Sequence, residues 1–218
     1  MKFNKKDILA ILIICTILSC KNSSEKVKTV KNTNENASTS IDSSKQIESK
    51  GFHKSLPWEN VNFDISTTGE GSIQQLEIHP YGLTNDNKKI TEEIEGSVTN
   101  AEIEDLNSDG FPEILIYTTS AGSGSYGNVI GYSVNKGKSL SKIYFPPVSD
   151  NSKANKGYMG HDKFDIVDKI LTQTFKTYNV DDKNNNPTGN IRQIQYKLKE
   201  GESSRKFVVD NIKEYPVQ

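Results

Sequence analysis

The chain has 218 residues, of which 25% are charged and 33% are hydrophobic, and its formal net charge is −1. This length suits one globular domain with an appendage. The charge balance leaves no basic footprint, so we expect no nucleic-acid partner.

The N-terminus predicts secretion and lipid attachment. A lysine-rich start precedes an apolar run at residues 8–18, which is too short to cross a bilayer but suits a signal peptide. The residues that lead into Cys20 resemble the lipobox of bacterial lipoproteins. We therefore predict a lipoprotein signal peptide over residues 1–19 and a lipid anchor on Cys20. A short membrane anchor or a soluble secreted protein is the alternative.

Residues 20–51 comprise the lipidated cysteine and a polar, low-complexity segment without aromatic residues. Such a segment cannot bury enough apolar surface to order itself, which predicts a disordered tether. Its r.m.s. reach is on the order of 30 Å. A helix capped by the following domain is the alternative. Because Cys15 leaves with the signal peptide, the mature domain over residues 52–218 has no disulfide.

The mature domain reads as a series of short strands. Apolar residues alternate with polar ones over several stretches, and glycine, proline and asparagine separate them. Residues 164–178 fit either a helix or a hairpin that turns at Asp168 and Lys169, and their Thr, Phe and Tyr content favours strands. The pattern predicts an all-β domain, an antiparallel β-sandwich or open barrel with at most one short helix.

One strand differs from the others. Residues 114–117 form a continuous apolar run (ILIY), which indicates a central strand covered on both faces. A glycine-rich loop, AGSGSYGNV at residues 121–129, separates it from a second inner strand, VIGYSV. The next turn, NKGK, predicts a hairpin with Gly137 in the left-handed conformation.

The loop's glycines can adopt positive φ, so the loop can bend sharply at Gly122, Gly124 and Gly127. These three also satisfy the phosphate-binding pattern G-x-G-x-x-G, which requires a helix directly after the loop. The residues that follow are β-branched and aromatic, so the pattern is weak. A loop with hydroxyls and one aromatic ring at its tip suits insertion into another molecule's cavity.

An aspartate-rich turn precedes the central strand. Asp105, Asn107, Asp109 and Gly110 match the start of a calcium-binding loop, but Ile116 stands where the bidentate glutamate belongs. An Asx-rich turn explains the same residues without a metal, and both interpretations stay open.

No residue pattern indicates catalysis. His53, His79 and His161 are scattered and lack the spacing of metal ligands. His161 and Asp162 are adjacent and could pair as a base and its orienting group, although such pairs usually lie on a surface. We expect no enzyme activity and no cofactor.

The loop and its surroundings resemble one family, the periplasmic inhibitors of invertebrate-type lysozyme. The similarity lies in DLNSDGFPEILIYTTSAGSGSYGNVIGYSVNKGKSLSKIYFPP, KGYMGHDKF and NPTGNIRQIQYKL, at residues 105–147, 156–164 and 186–198. It implies an all-β domain whose S-G-x-Y loop plugs the substrate cleft of the lysozyme. The chain departs from the family where Asn190 follows Gly189 in place of a second glycine.

The resemblance assigns Ser123, Gly124, Ser125 and Tyr126 as the lysozyme-binding residues, with Gly122 and Gly127 shaping the loop. A lysozyme cleft contains two carboxylates. Ser123 can offer its hydroxyl to one of them, Gly124 allows close backbone approach, and Tyr126 is a rigid aromatic anchor. An unpartnered loop with Tyr126 folded back on the sheet is the alternative.

The sequence therefore predicts a lipid-anchored lysozyme inhibitor of the bacterial cell envelope, in the outer membrane, on its periplasmic face or at the cell surface. Its expected partners are lysozyme and a membrane through the N-terminal lipid, and a homodimer stays open as an alternative to a monomer. A calcium-stabilised module that recognises glycan or protein is the alternative function. Calcium would then bind at Asp105, Asn107 and Asp109.

Overall fold

The computed structural model describes residues 51–183 and 185–217. The predictions for the signal peptide, for Cys20 and for the tether up to residue 50 lie outside the described residues. The described part contains these strands: β1 (His53–Trp58), β2 (Val61–Thr68), β3 (Ile73–Tyr81), β4 (Ile90–Glu95), β5 (Ser97–Glu104), β6 (Glu113–Thr119), β7 (Gly127–Asn135), β8 (Ser139–Ile143), β9 (Lys163–Val167), β10 (Ile170–Lys176), β11 (Ile191–Lys199) and β12 (Lys206–Tyr215). A 3-10 turn (Val148–Asp150) and one short helix, α1 (Ser152–Asn155), connect β8 to β9.

The strands form three antiparallel sheets of four. The first sheet has the order β1-β2-β3-β4, the middle sheet β5-β6-β7-β8, and the last sheet β12-β11-β10-β9. Each sheet pairs strands that are consecutive in sequence, since antiparallel neighbours need no crossover connection. The predicted all-β class with one short helix is confirmed, and the described strands close no barrel.

Strand β6 lies at the centre of the domain because its side chains serve two cores. Ile114 and Ile116 face the core shared with the first sheet. Leu115 and Tyr117 face the core shared with the last sheet. All four side chains are at most 2% exposed. The predicted central strand covered on both faces is confirmed, and it places the loop that follows at the end of the middle layer.

The ambiguous segment at residues 164–178 is a hairpin. Strands β9 and β10 pair antiparallel with Ile170 opposite Val167. Asp168 and Lys169 both adopt positive φ, 50° and 63°, as a two-residue turn matched to strand twist requires. The helical alternative is wrong, and the preferred interpretation as strands is confirmed. The predicted left-handed Gly137 is also confirmed, at φ 69°.

Two details of the first half go beyond the sequence prediction. Strand β1 was not predicted, since Leu56 is its only buried residue and Pro57 interrupts its pattern. Between β4 and β5 the chain reverses at Gly96, whose φ is 95°. A Cβ there would lie 1.9 Å from the carbonyl oxygen of Thr119, so the reversal requires glycine.

No helix among residues 51–183 and 185–217 has the length and apolar character needed to cross a membrane.

Candidate functional site

The glycine-rich loop connects the two inner strands of the middle sheet and carries its own hydrogen bonds at the base. The N–H of Ser120 donates to the carbonyl oxygen of Tyr126 (2.9 Å). The N–H of Tyr126 donates back to the Ser120 hydroxyl (2.9 Å). Above them, the N–H of Ser125 donates to the carbonyl oxygen of Gly122 (3.0 Å). The loop is thus a closed turn at residues 120–126, which we call the SGSY loop after residues 123–126.

The tip of the SGSY loop is available to a partner. Ser123 is exposed, and its hydroxyl makes no hydrogen bond within the part of the chain that the structure describes. Tyr126 is 47% exposed, so its ring is not folded into the interior. Strand β7 begins directly at Gly127, and the helix that phosphate binding would require is absent from this position.

The loop bends differently from the sequence prediction. The sequence predicts that the loop's glycines can adopt positive φ, yet Ser125 is the loop residue that adopts it, at 43°. The glycines serve close packing instead. A Cβ on Gly124 would lie 2.4 Å from Cε2 of Tyr126, and one on Gly127 would lie 2.7 Å from Cβ of Asp162. Gly122 has open space around it.

A second segment, residues 157–162, supports the loop from below. The N–H of His161 donates to the carbonyl oxygens of Gly124 (2.8 Å) and Ser125 (3.2 Å). Gly160, at φ 85°, packs so tightly beneath the loop that a Cβ would lie 2.0 Å from the Gly124 oxygen. The ring of Tyr158 meets the ring of Tyr126 edge-on, with centroids 5.7 Å apart.

Asp162 is the polar centre of this supporting segment. Its Oδ2 accepts hydrogen bonds from the N–H of Gly127 (2.8 Å) and from the hydroxyl of Tyr158 (2.7 Å). Its Oδ1 accepts from Nε2 of Gln173, and the hydroxyl of Tyr196 donates to Oε1 of the same glutamine (2.5 Å). A chain of polar groups therefore runs from the core of the last sheet to the base of the SGSY loop.

Burial shifts the pKa values of Asp162 and Tyr158, two members of this series of polar groups. Loss of water around the carboxyl raises the pKa of Asp162, although its three hydrogen-bond donors act in the opposite direction. Burial also raises the pKa of Tyr158, and the nearby negative charge of Asp162 adds to the shift. The Tyr158 hydroxyl therefore stays protonated and can donate to the carboxylate.

Arg192 on β11 fixes the chain that leads into the supporting segment. Its side chain is 5% exposed and pairs with Glu214. Its Nη1 donates to the carbonyl oxygens of Ala154 (2.9 Å) and Lys156. These are carbonyls at the end of α1, which a helix this short leaves unsatisfied. Arg192 thereby attaches residues 154–156 to the last sheet.

The loop at residues 187–190, whose departure from the family pattern lies at Asn190, is held against the end of β10. The N–H of Gly189 donates to the carbonyl oxygen of Thr177 (3.0 Å), and the N–H of Thr177 donates to that of Asn190 (2.8 Å). A Cβ on Gly189 would lie 2.4 Å from Oγ1 of Thr177. The N–H of Tyr178 donates to the carbonyl oxygen of Gly157 (2.8 Å), which links the chain directly after β10 to the segment beneath the SGSY loop.

The aspartate-rich turn before β6 uses its oxygens internally. Asp105 accepts from the N–H groups of Asp109 and Gly110, both at 3.0 Å. Asn107 also accepts from the N–H of Asp109 (3.0 Å). Asp109 accepts from Nη2 of Arg205 (3.0 Å). These contacts are those of an Asx turn, and no group of three or more metal-binding side chains occurs within residues 51–183 and 185–217.

Two grooves adjoin the SGSY loop. One has a volume of about 610 Å³ and borders Ser120 and Tyr126 on the side of β4 and β8. The other has a volume of about 460 Å³ and borders Ser125 and His161 on the side of β5 and β9. Open space on both sides lets the walls of a partner's cleft approach the loop.

Sequence reasoning assigned no site role to the supporting residues, namely Tyr158, Gly160, Asp162 and Gln173. His161 and Asp162 were considered only as an adjacent pair, and the structure gives them different partners. The His161 ring stacks on Tyr178 at 6.4 Å, whereas Asp162 holds the loop. The one sequence signal for Tyr158, Gly160 and Asp162 was the stretch KGYMGHDKF, which entered through the family resemblance, and Gln173 lies outside that stretch.

The geometry defines an all-β protein that presents an exposed, aromatic-tipped loop on a fixed support. Residues 89–159 match the family model described as periplasmic lysozyme inhibitor of I-type lysozyme. The resemblance is therefore confirmed for this segment, which contains β4 to β8, α1 and the entire SGSY loop. The match ends before Gly160 and does not reach the last sheet. No curated protein and no solved structure matches the chain.

Proposed function

We propose that the chain is a lipid-anchored inhibitor of lysozyme, of the invertebrate type, that inserts the SGSY loop into the active-site cleft. The observation that carries this proposal is the family match over residues 89–159, which contains the loop. The exposed tip and the two grooves beside it support the same function. Such a protein acts stoichiometrically and turns over no substrate.

The tip offers chemistry that suits a glycosidase cleft. Lysozymes place two carboxylates at the scissile bond, and the free hydroxyl of Ser123 can donate to one of them. A hydrogen bond to a charged group contributes about 1.5–3 kcal/mol. Tyr126 adds an aromatic anchor with a polar end, a residue type enriched among interface hot spots of about 2 kcal/mol or more. Gly124 keeps the backbone free of side-chain bulk.

The N-terminal sequence supports a location in the cell envelope. Lipid on Cys20 would hold the protein at a membrane, and residues 21–51 would let the domain reach a lysozyme about 30 Å away. An inhibitor placed there would protect the cell wall from a lysozyme that arrives from outside.

The test is a lysis assay with the purified domain against invertebrate-type, chicken-type and goose-type lysozymes in parallel. We expect inhibition of the invertebrate type. The double variant Ser123→Ala/Tyr126→Ala should lose about 3–5 kcal/mol of binding free energy, or about 100-fold to several-thousand-fold in affinity. Its melting temperature should stay nearly unchanged, because both side chains are exposed.

A matched control is Ser55→Ala/Tyr81→Ala. Ser55 on β1 is exposed and Tyr81 at the end of β3 is 42% exposed, and the hydrogen-bond partners of their hydroxyls, Asn62 and His79, belong to the same first sheet. This control should inhibit like the original protein. Equal inhibition by the SGSY variant would refute the site, and a wild-type domain that inhibits none of the three lysozymes would refute the function.

A further inference from the structure

The SGSY loop has few restraints of its own. Three hydrogen bonds close it, and it contains two glycines before Tyr126, one of them with open space around it. A loop that samples many conformations binds weakly, because only the fraction in the competent conformation is available to the partner. The restraint must therefore come from what the loop packs against.

Two connections run from the last sheet to the loop, and both include Asp162. The first is polar: Oδ2 of Asp162 holds the N–H of Gly127, the residue directly after Tyr126. The second is aromatic: the same oxygen accepts from the hydroxyl of Tyr158, and the Tyr158 ring packs edge-on against both Tyr126 and Phe175. One carboxylate thus fixes the backbone of the loop and the ring that supports its tip.

The carboxylate is itself held in place from the core. Gln173 is fully buried on β10 and donates to Oδ1 of Asp162. Tyr196, which is 2% exposed on β11, donates to the same glutamine. Because these strands are paired along their length, the position of Asp162 is set by the packed sheet and is passed on to the loop.

We propose that Asp162 is the positioning residue of the SGSY loop and keeps it in its binding conformation before any partner arrives. The part of this proposal that concerns affinity rests on the proposed function, whereas the part that concerns loop order does not. Asp162 does not need to touch the partner, since it acts through Gly127 and Tyr158.

The experiment compares Asp162→Ala with Asp162→Asn in the purified domain. Alanine removes every acceptor. Asparagine keeps one side-chain oxygen, which can still accept from Gly127 while its amide nitrogen donates to Oε1 of a flipped Gln173. The control is Asp210→Asn, which removes the same charge from an exposed residue on the edge strand β12.

The first readout needs no lysozyme. Amide hydrogen exchange should speed up about 10-fold or more at Gly127 and at His161 in Asp162→Ala. The amides of β10 that pair with β11 should exchange as before. Asp162→Asn should restore most of the protection. Unchanged exchange at Gly127 would overturn the proposal, and so would faster exchange spread evenly over the last sheet.

The second readout is the rate of association with an invertebrate-type lysozyme. If the competent fraction falls to about a tenth, the dissociation constant rises about 10-fold and the association rate falls by the same factor. The Asn variant should lie near wild type and Asp210→Asn should equal it. An Asp162→Ala protein with loosened exchange but unchanged association would show that loop order is irrelevant to binding and would overturn the affinity part.

Two outcomes separate this proposal from the proposed function. If the wild-type domain binds no lysozyme, the exchange data still decide whether Asp162 orders the loop. If Asp162→Ala does not fold, Asp162→Asn carries the test. A neutral amide accepts more weakly than a carboxylate, so exchange at Gly127 should rise about threefold with β10 unchanged. Identical exchange in that variant would overturn the proposal.

Discussion

Replacement of Gly160 by alanine should disturb the SGSY loop from below. Gly160 has a φ of 85°, and a Cβ there would lie 2.0 Å from the carbonyl oxygen of Gly124. A left-handed conformation costs an L-residue about 1–2 kcal/mol. An ordinary carbon–oxygen contact is about 3.3 Å or more, so the Gly124 oxygen must also move by about 1 Å. That movement breaks the hydrogen bond from His161 (2.8 Å), which contributes about 1 kcal/mol.

The total expected loss is about 2–3 kcal/mol of the free energy of unfolding, and the displaced loop should inhibit lysozyme at least 10-fold less well. Urea denaturation and the lysis assay measure the two effects. Gly110→Ala is the matched control, because Gly110 has the same φ of 85° and nothing within 4 Å of the added Cβ. Gly110→Ala should lose only the about 1–2 kcal/mol that the left-handed conformation costs an L-residue, and it should inhibit lysozyme as well as the original protein does. Equal losses in both variants, with inhibition unchanged, would refute the account of the loop's support.

Four further variants test other parts of the structure. Leu115→Ala and Ile116→Ala should each lower the free energy of unfolding, measured by urea denaturation, by about 2–5 kcal/mol, because the opposite faces of β6 are both buried. A much smaller loss at either position would contradict the order of the three layers. Arg192→Met should lower the free energy of unfolding by about 2–3 kcal/mol, since it leaves the buried carbonyl of Ala154 and the part-buried carbonyl of Lys156 without their donor. A loss below about 1 kcal/mol would contradict that role. Burial raises the pKa of the Glu113 carboxyl. The folded protein therefore holds this proton more tightly than the unfolded chain does, and the free energy of unfolding falls as pH rises from about 4.5 through the raised pKa. Glu113→Gln should flatten that part of the pH profile, and an unchanged slope would show that Glu113 is not its source.

The sequence predicts the strands well where burial alone determines the pattern. The continuous run at residues 114–117 indicated a strand covered on both faces, and β6 is that strand. For residues 164–178 the sequence allowed two alternatives, a helix or a hairpin that turns at Asp168 and Lys169. Its apolar residues fit a helical period as well, and strand pairing with β11 decides between the two periods. Strand β1 was missed because pairing with β2, and not its own composition, makes it a strand.

The residues of the candidate site were also predicted only in part. The exposed residues of the SGSY loop were found from local composition together with the family resemblance. The positive φ at Ser125 was not found, because the close approach of Tyr126 to Gly124 depends on packing. Asp162 was missed for the same reason: it lies 35 residues from Gly127, and no spacing rule connects a half-buried aspartate to the N–H of a distant loop.

The central claim is that the SGSY loop occupies the substrate cleft of the lysozyme. Its most direct test is a titration of the domain into an invertebrate-type lysozyme, with and without an N-acetylglucosamine oligosaccharide that fills the cleft. Two ligands that compete for one site weaken each other by mass action. With the oligosaccharide at about 100 times its own dissociation constant, the apparent affinity for the domain should fall about 100-fold. An affinity that stays the same in saturating oligosaccharide would place the interface outside the cleft and contradict the claim.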